Sequence, residues 1–145
     1  MSAFFDTSAL LAIVLGEAAA PAVRAALAEH EIVVASAIAE VEARAGLARA
    51  RRGRRMTVRR EREAWTRFQR IWSTSAILDI DRALLVSATD LAARHALRGY
   101  DAVQLASGLR AADVTGAAGF ACLDRELNAA ASVEGLTCLL APTPD

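Results

Sequence analysis

Lysine is absent from this sequence, so all 17 of its basic residues are arginines. Cysteine, proline and glycine are sparse, with two, three and eight residues. A zinc site or a disulfide scaffold is not indicated, because the two cysteines lack a CxxC spacing and the two histidines are isolated. We expect both cysteines to be reduced, buried strand residues. Because 54% of the residues are hydrophobic, the chain is predicted to fold around a sizeable core.

Long hydrophobic runs are also absent, and the N-terminus has neither a basic region nor a cleavage-like site. We therefore expect no membrane association and a cytoplasmic location. The length favours one domain over residues 1–141, followed by a frayed tail over residues 142–145.

The charges are balanced in number but not in position. Residues 44–70 contain eleven arginines against two acidic residues, Glu61 and Glu63, whereas the rest of the chain carries six arginines against fifteen acidic residues. A chain of zero formal charge thus has one strongly basic segment and an acidic remainder.

Short apolar segments rich in β-branched residues alternate with helical patterns along the chain. We predict strands at residues 2–5, 32–35, 76–80, 119–123 and 136–140. This alternation predicts an α/β domain of three layers, α/β/α, with a central parallel sheet of about five strands and helices on both faces.

Four acidic residues lie at positions in the predicted strands and helices that favour a common site. Asp6 and Asp124 directly follow the first and fourth predicted strands, at the sheet edge where open parallel sheets bind ligands. Asp101 begins a predicted helix, and Glu40 lies one turn inside the helix after the second strand. Each residue alone is explained as a helix cap, a turn residue or a solvated side chain, so only the joint pattern indicates a site.

Four carboxylates at one edge would repel each other unless a hard divalent cation neutralised them. Mg²⁺ and Mn²⁺ prefer such oxygen ligands, and either ion can lower the pKa of a bound water and stabilise charge on a phosphodiester. The predicted catalytic and metal-binding residues are therefore Asp6, Glu40, Asp101 and Asp124.

The segments around these residues resemble a known family. FFDTSAL around Asp6, SAIAEV around Glu40, YDAVQLA around Asp101 and ACLDREL around Asp124 are similar, in order and spacing, to the four acidic motifs of PIN domains. The closing pattern LNAAASVEGL resembles VapC toxins of type II toxin–antitoxin modules. The resemblance extends over essentially the whole chain.

This resemblance implies a sheet of order 3-2-1-4-5, which places the first and fourth strands side by side. It implies that Asp6 and Asp101 ligate the metal directly and that Glu40 and Asp124 complete the site, with Thr7 or Ser8 supporting the first carboxylate by hydrogen bonding. The sequence departs from the family pattern two residues before Asp124, where a serine or threonine is frequent and this chain has a cysteine.

The implied reaction is metal-dependent endonucleolytic hydrolysis of RNA, leaving a 5′-phosphate and a 3′-hydroxyl. The implied partners are a small cognate antitoxin of the VapB type and a second copy of the chain, within a homodimer and a larger toxin–antitoxin complex. Two alternatives within the family are a PIN nuclease of RNA processing without an antitoxin, and a PIN-fold module that binds RNA without cleaving it.

The basic segment supplies the attraction for RNA that an acidic site lacks. Arginine suits bidentate phosphate contacts, and such contacts are independent of sequence. The residues predicted to contact RNA are Arg51, Arg52, Arg54, Arg55, Arg59 and Arg60. The alternative for these arginines is ion pairing within the protein or with a partner.

Two other enzyme classes place an aspartate after a parallel strand. A phosphoryl-accepting receiver domain needs a lysine late in the sheet, and this chain has no lysine. A haloacid-dehalogenase-like phosphatase needs a second aspartate two residues after the first, where this chain has Ser8. Both alternatives are therefore excluded by one named feature each.

Overall fold

The chain's central sheet has five strands: β1 (Ser2–Phe5), β2 (Ile32–Ser36), β3 (Ala76–Leu78), β4 (Gly119–Ala121) and β5 (Thr137–Cys138). A computed structural model describes residues 1–144, and Asp145, the end of the predicted tail, lies outside the described residues. All strand pairs are parallel, and the order is β3-β2-β1-β4-β5. The predicted order is confirmed, whereas β3, β4 and β5 are shorter than the patterns indicated.

Helices cover both faces of the sheet. They are α1 (Thr7–Leu15), α2 (Ala20–Ala28), α3 (Ile38–Arg52), α4 (Val58–Ser73), α5 (Arg82–His95), α6 (Gly99–Thr115) and α7 (Arg125–Val133). Successive side chains of a strand point to opposite faces, so Phe5 joins the core formed with α1–α4 and Phe4 the core formed with α5–α7. This arrangement confirms the predicted three layers.

Two aspartates connect strands to helices at the carboxyl edge of the sheet. Asp6 caps α1 by accepting a hydrogen bond from the backbone N–H of Ala9 at 3.1 Å. Asp124 caps α7 by accepting from the N–H of Leu127 at 2.8 Å. Because β1 and β4 are neighbours, the two caps lie at adjacent strand ends. The preference of aspartate for the N-cap thus places both carboxylates at the carboxyl edge of the sheet.

Close packing of α6 against the sheet positions its N-terminal half. A Cβ atom on Gly108 would lie 2.7 Å from the ring of Phe120, so only glycine allows this approach. Phe120 in turn stacks on Phe4, with ring centroids 5.4 Å apart. The packing places the beginning of α6, which carries Asp101, beside the ends of the central strands.

One smaller expectation, the burial of both cysteines, needs correction. Cys122 is buried, but Cys138 is exposed at the end of β5, which is an edge strand. The N–H of Thr143 donates to the carbonyl oxygen of Leu123 at 3.0 Å, so the predicted frayed tail retains a tertiary hydrogen bond. Within residues 1–144, no single helix has the length and hydropathy of a membrane span; α1 and α2 pass that test only together, bent by 113°.

Candidate active site

A cavity of about 520 Å³ opens beside the carboxyl ends of β1 and β4. Its wall contains four carboxylates, which belong to Asp6, Glu42, Asp101 and Asp124. Three of the four acidic residues predicted from the sequence therefore meet in one place. They come from three separate elements, the caps of α1 and α7 and the first turn of α6.

The fourth predicted acid, Glu40, is not part of this wall. Its side chain is exposed on α3, and Glu42 lines the cavity in its place. Each helical residue turns the chain by about 100°, so two residues that are two positions apart point about 160° away from each other. Only one of the two glutamates can face the cavity. Gly46, one turn after Glu42, also lines the cavity, so the face of α3 that carries Glu42 is the one that meets the site.

Asp6 is the most deeply buried of the four carboxylates, with 5% of the residue exposed. Burial raises its pKa from 3.8 to about 6, although hydrogen bonds from Ser8 and Ala9 act in the opposite direction. The Ser8 hydroxyl donates to Asp6 Oδ1 at 2.6 Å and accepts from the N–H of Leu123 at 3.0 Å. Ser8 therefore supports the first carboxylate, as expected, and ties it to the end of β4.

The departure at Cys122 has a structural counterpart. The Cys122 thiol sulfur accepts a hydrogen bond from the backbone N–H of Asp124 at 3.3 Å and lies 3.9 Å from the Ser8 hydroxyl. Burial raises the pKa of this thiol well above its usual range. A neutral sulfur thus occupies the place where a hydroxyl is frequent in the family. It contacts Ser8 of the first acidic motif and Asp124 of the fourth.

Asp101 and Asp124 share the outer part of the cavity. Partial burial raises the pKa of Asp101, and the charges of Asp124 and Glu42 raise it further. The charge of the Arg98 guanidinium lowers the pKa of Asp101, but this effect is smaller than the combined effects that raise it. The carboxylates therefore repel one another, and ionising all of them together is unfavourable without a counter-ion.

Thr7 supports a different carboxylate from the one expected. Its hydroxyl donates to Glu42 Oε1 at 2.8 Å and not to Asp6. Gln104 Nε2 donates both to Thr7 Oγ1 at 2.8 Å and to Glu42 Oε1 at 2.7 Å. Sequence reasoning missed Gln104, because a single glutamine inside a helix has no spacing that marks it.

The donor set fits a hard divalent cation. All four acidic side chains offer carboxylate oxygens, which Mg²⁺ and Mn²⁺ prefer, and their mutual repulsion is relieved by a positive charge. Among residues 1–144, no three aspartate, glutamate, histidine or cysteine side chains are already arranged as ligands of one ion. Mg²⁺ commonly binds through one or two carboxylates and keeps several waters, so a preformed cage is not required.

Part of the basic segment is neutralised inside the protein. Glu61 is buried and forms ion pairs with Arg44, at 3.3 Å, and with Arg51. Arg59 pairs with Glu63 at 3.1 Å. Two of the six arginines predicted to contact RNA, Arg51 and Arg59, therefore have acidic partners.

The other four predicted arginines surround the turn between α3 and α4. No ion pair within residues 1–144 involves Arg52, Arg54, Arg55 or Arg60. Three of them line one cavity together with Arg51, and Arg52 lines the next cavity towards the acidic site.

Arg49 links this basic region to the carboxylates. It lines the acidic cavity and also the neighbouring cavity that contains Arg51 and Arg52. Three cavities therefore follow one another along α3 and share residues at their borders. Part of the basic segment therefore borders the acidic site.

Comparison with known proteins agrees with this architecture. The family model of the PIN domain matches residues 3–115, so Asp124 lies beyond the matched residues. Ribonuclease VapC45 of Mycobacterium tuberculosis is 31% identical over 139 residues, covering 96% of this chain and 94% of that protein.

Two solved structures share the fold at low sequence identity. A toxin–antitoxin complex from Klebsiella pneumoniae matches with a TM-score of 0.68 at 18% identity, covering 96% of this chain and 98% of that one. Mycobacterium tuberculosis VapC20, described as a sarcin-ricin loop cleaving toxin, matches with a TM-score of 0.67 at 19% identity, covering 98% of this chain and all of that one. The family-model match over residues 3–115 and the 31% identical relative establish that the chain belongs to the PIN-domain family.

Proposed function

We propose that this protein is a metal-dependent endoribonuclease that acts as the toxin of a type II toxin–antitoxin pair. The observation that carries the proposal is the cavity in which Asp6, Glu42, Asp101 and Asp124 converge. Carboxylates alone repel RNA, and the adjoining arginines supply the attraction that a nucleic-acid substrate requires. The similarity to a ribonuclease of the VapC type supports the same activity.

Asp6 and Asp101 would hold the cation, Mg²⁺ or Mn²⁺, and Glu42 and Asp124 would complete the site. Glu42 thus takes the position that the sequence assigned to Glu40. When bound, such a cation lowers the pKa of water and stabilises the charge that develops on a phosphodiester. Hydrolysis with this donor set needs no protein nucleophile.

The protein's own side chains prepare the carboxylates for this role. Ser8 holds one oxygen of the Asp6 carboxylate and so fixes its orientation. Asp124 uses one oxygen to cap α7, which leaves its second oxygen for a ligand or a proton. The exposed position of Asp124 favours a role in orienting the attacking water over a role as the innermost ligand.

The RNA backbone would follow the cavities along α3. Arg49 stands at the acidic end, and Arg52, Arg54, Arg55 and Arg60 stand at the turn. Arg51 and Arg59 are weaker candidates because Glu61 and Glu63 already neutralise them. Contacts of this kind bind phosphates irrespective of base and release counter-ions.

The proposed partner is a small antitoxin of the VapB type that covers the cavity. Ile38, Val41 and Tyr100 give the rim an apolar part, and Val41 is 63% exposed. The match to a toxin–antitoxin complex supports such a partner. A homodimer within a larger toxin–antitoxin complex is part of the same proposal.

Induced expression in a bacterial host tests this function. Wild-type protein and Asp6→Asn would be compared at equal soluble level, with total RNA sequenced at new 5′ ends. We expect growth arrest and discrete new 5′ ends with the wild type alone. If soluble wild-type protein neither slows growth nor produces new ends, the toxin proposal is contradicted; a stable RNA complex without cleavage would instead indicate a binding module.

A further inference from the structure

Gln104 connects two residues of the acidic cavity from inside the protein core. The residue is 1% exposed, on the second turn of α6. Its amide nitrogen lies within hydrogen-bond distance of two acceptors, Thr7 Oγ1 at 2.8 Å and Glu42 Oε1 at 2.7 Å. Thr7 donates to the same glutamate oxygen at 2.8 Å, so the three side chains form a closed triangle.

This triangle engages one of the two carboxylate oxygens of Glu42. Glu42 Oε1 accepts two hydrogen bonds, whereas no residue within 1–144 donates to Glu42 Oε2. The orientation of the glutamine amide is also fixed. The reverse orientation would bring its oxygen against Glu42 Oε1, and two acceptors would then face each other.

Stability alone does not explain a glutamine at this position. Gln104 Oε1 is buried and has no hydrogen-bond partner among the described residues, and a buried acceptor without a partner is unfavourable. An apolar side chain of similar length would fill the same space without this cost. Among the described residues the amide makes hydrogen bonds only through its nitrogen, which faces Glu42 and its neighbour Thr7.

We propose that Gln104 is a positioning residue, which acts with Thr7 to hold Glu42 so that its free oxygen is presented to the cation. This inference rests on the proposed metal-dependent function. Partners of this type, which orient a ligand without touching the metal, change metal affinity by about 10–100-fold when they are removed. Gln104 thereby couples α6, which also carries Asp101, to the glutamate on α3.

Binding of Mn²⁺ to the purified protein without RNA tests the inference, because it needs no catalytic turnover. Gln104→Met keeps the length of the side chain and removes both donors. Ser107→Ala is the matched control, because Ser107 is buried on the same helix and its hydroxyl bonds, among the described residues, only to the carbonyl of Val103, at 2.8 Å. Titration calorimetry would give the Mn²⁺ dissociation constant, and thermal melting would report on folding.

We expect Gln104→Met to raise the Mn²⁺ dissociation constant by about 10-fold or more while the melting temperature stays within a few degrees. Ser107→Ala should leave the dissociation constant unchanged. In a Glu42→Gln background, adding Gln104→Met should change Mn²⁺ binding by less than about 2-fold, because the residue acts through Glu42. If Gln104→Met fails to fold, Gln104→Leu removes the donors with an uncharged side chain of similar size and should weaken binding in the same way.

Two results would overturn the inference. Gln104→Met binding Mn²⁺ as the wild type does would mean that the amide does not position Glu42. An equal loss with and without Glu42 would mean that the substitution acts through general packing. In both cases wild-type Mn²⁺ binding leaves the proposed function standing, whereas absence of Mn²⁺ binding by the wild type contradicts the metal site and this inference together.

Discussion

Glu42 Oε1 lies 2.8 Å from the hydroxyl oxygen of Thr7, so α3 is tied directly to the residue that follows Asp6. Glu40, two residues earlier on the same helix, is exposed and takes no part in this contact. The pair offers a test in which substitution of one glutamate should reduce activity and substitution of the other should not.

Glu42→Gln should reduce the rate of RNA cleavage by more than about 10–100-fold, which is the usual loss when a residue that only orients a metal ligand is replaced. The physical reason is the loss of one negative charge from the wall of the cavity. Glu40→Gln should cleave at close to the wild-type rate. Initial rates on a defined RNA in Mn²⁺ give both values, and equal losses for the two variants would contradict the assignment of Glu42.

Asp6→Asn should make the metal-free protein more stable at pH 8. The pKa of Asp6 is raised from 3.8 to about 6 in the folded state, so its ionised form destabilises the fold. The stability gained from the protonated form is complete below about pH 3.8 and is lost as the pH rises through about 6. Asparagine stays neutral, which removes a penalty of at most about 3 kcal/mol.

Urea unfolding in EDTA at pH 8, 6 and 4 would measure this difference. The free energy of unfolding should favour Asp6→Asn at pH 8, and the advantage should shrink towards pH 4. A variant less stable than the wild type by the same amount at every pH would contradict the assigned burial effect. Activity should be lost in Asp6→Asn at every pH.

Ser8→Ala should lower both stability and activity. The hydroxyl donates to Asp6 and accepts from the N–H of Leu123, and its loss leaves a buried backbone donor without this partner. We expect a loss of about 1–3 kcal/mol in the free energy of unfolding. Ser73→Ala is the control, since that exposed hydroxyl bonds only to the carbonyl of Arg70 in its own helix. Equal melting temperatures for both variants would argue against the Ser8 link.

Arginines at the turn between α3 and α4 should set the salt dependence of RNA binding. In an Asp6→Asn background with EDTA, RNA is bound but not cut. Replacing Arg55 and Arg60 by glutamine should reduce the slope of log K against log salt by about 1.4 for single-stranded RNA, because two phosphate contacts are lost. Fluorescence anisotropy at several salt concentrations gives the slope.

The matched control for this experiment is the pair Arg24→Gln and Arg82→Gln, which removes the same charge from the exposed surface of α2 and α5. The control should leave the slope nearly unchanged. Equal slopes for both pairs would mean that the basic turn has no special role in contacting RNA.

The fold was predictable because its signals repeat along the chain. Each strand is a short apolar segment, and the residues after β1 and β4 are aspartates that cap the next helix, as local propensity favours. The sheet order came from the family resemblance. The ends of β3, β4 and β5 were not predictable, because strand length depends on how far the neighbouring strand continues the hydrogen-bonded ladder.

The sequence predicted the position of an acidic residue in the site only where that residue directly follows a strand or begins a helix. Asp6, Asp101 and Asp124 are such residues, and all three line the cavity. Glu40 and Glu42 lie within a helix, where the direction of a side chain depends on the rotation of the helix against the sheet. Gln104 has no local signal, because its partners are 62 and 97 residues away in sequence.

The charge pattern gave the location of the basic segment but not which arginines are available. Glu61 is the only acid besides Glu63 within residues 44–70, yet it is buried and neutralises two arginines. Helical spacing places Glu61 on the same face as the buried Ala64 and Phe68. Burial of a carboxylate requires a partner, and this requirement selects Arg44 and Arg51 out of the segment.

If the proposed function is correct, the carboxylates around Asp6 cut RNA only with a divalent cation. Purified wild-type protein and Asp6→Asn would be incubated with total bacterial RNA in Mn²⁺ and in EDTA, and 5′-phosphate ends would be mapped by sequencing. We expect discrete new ends in a single condition, the wild type with Mn²⁺. Cleavage at the same positions by Asp6→Asn, or by the wild type in EDTA, would contradict it.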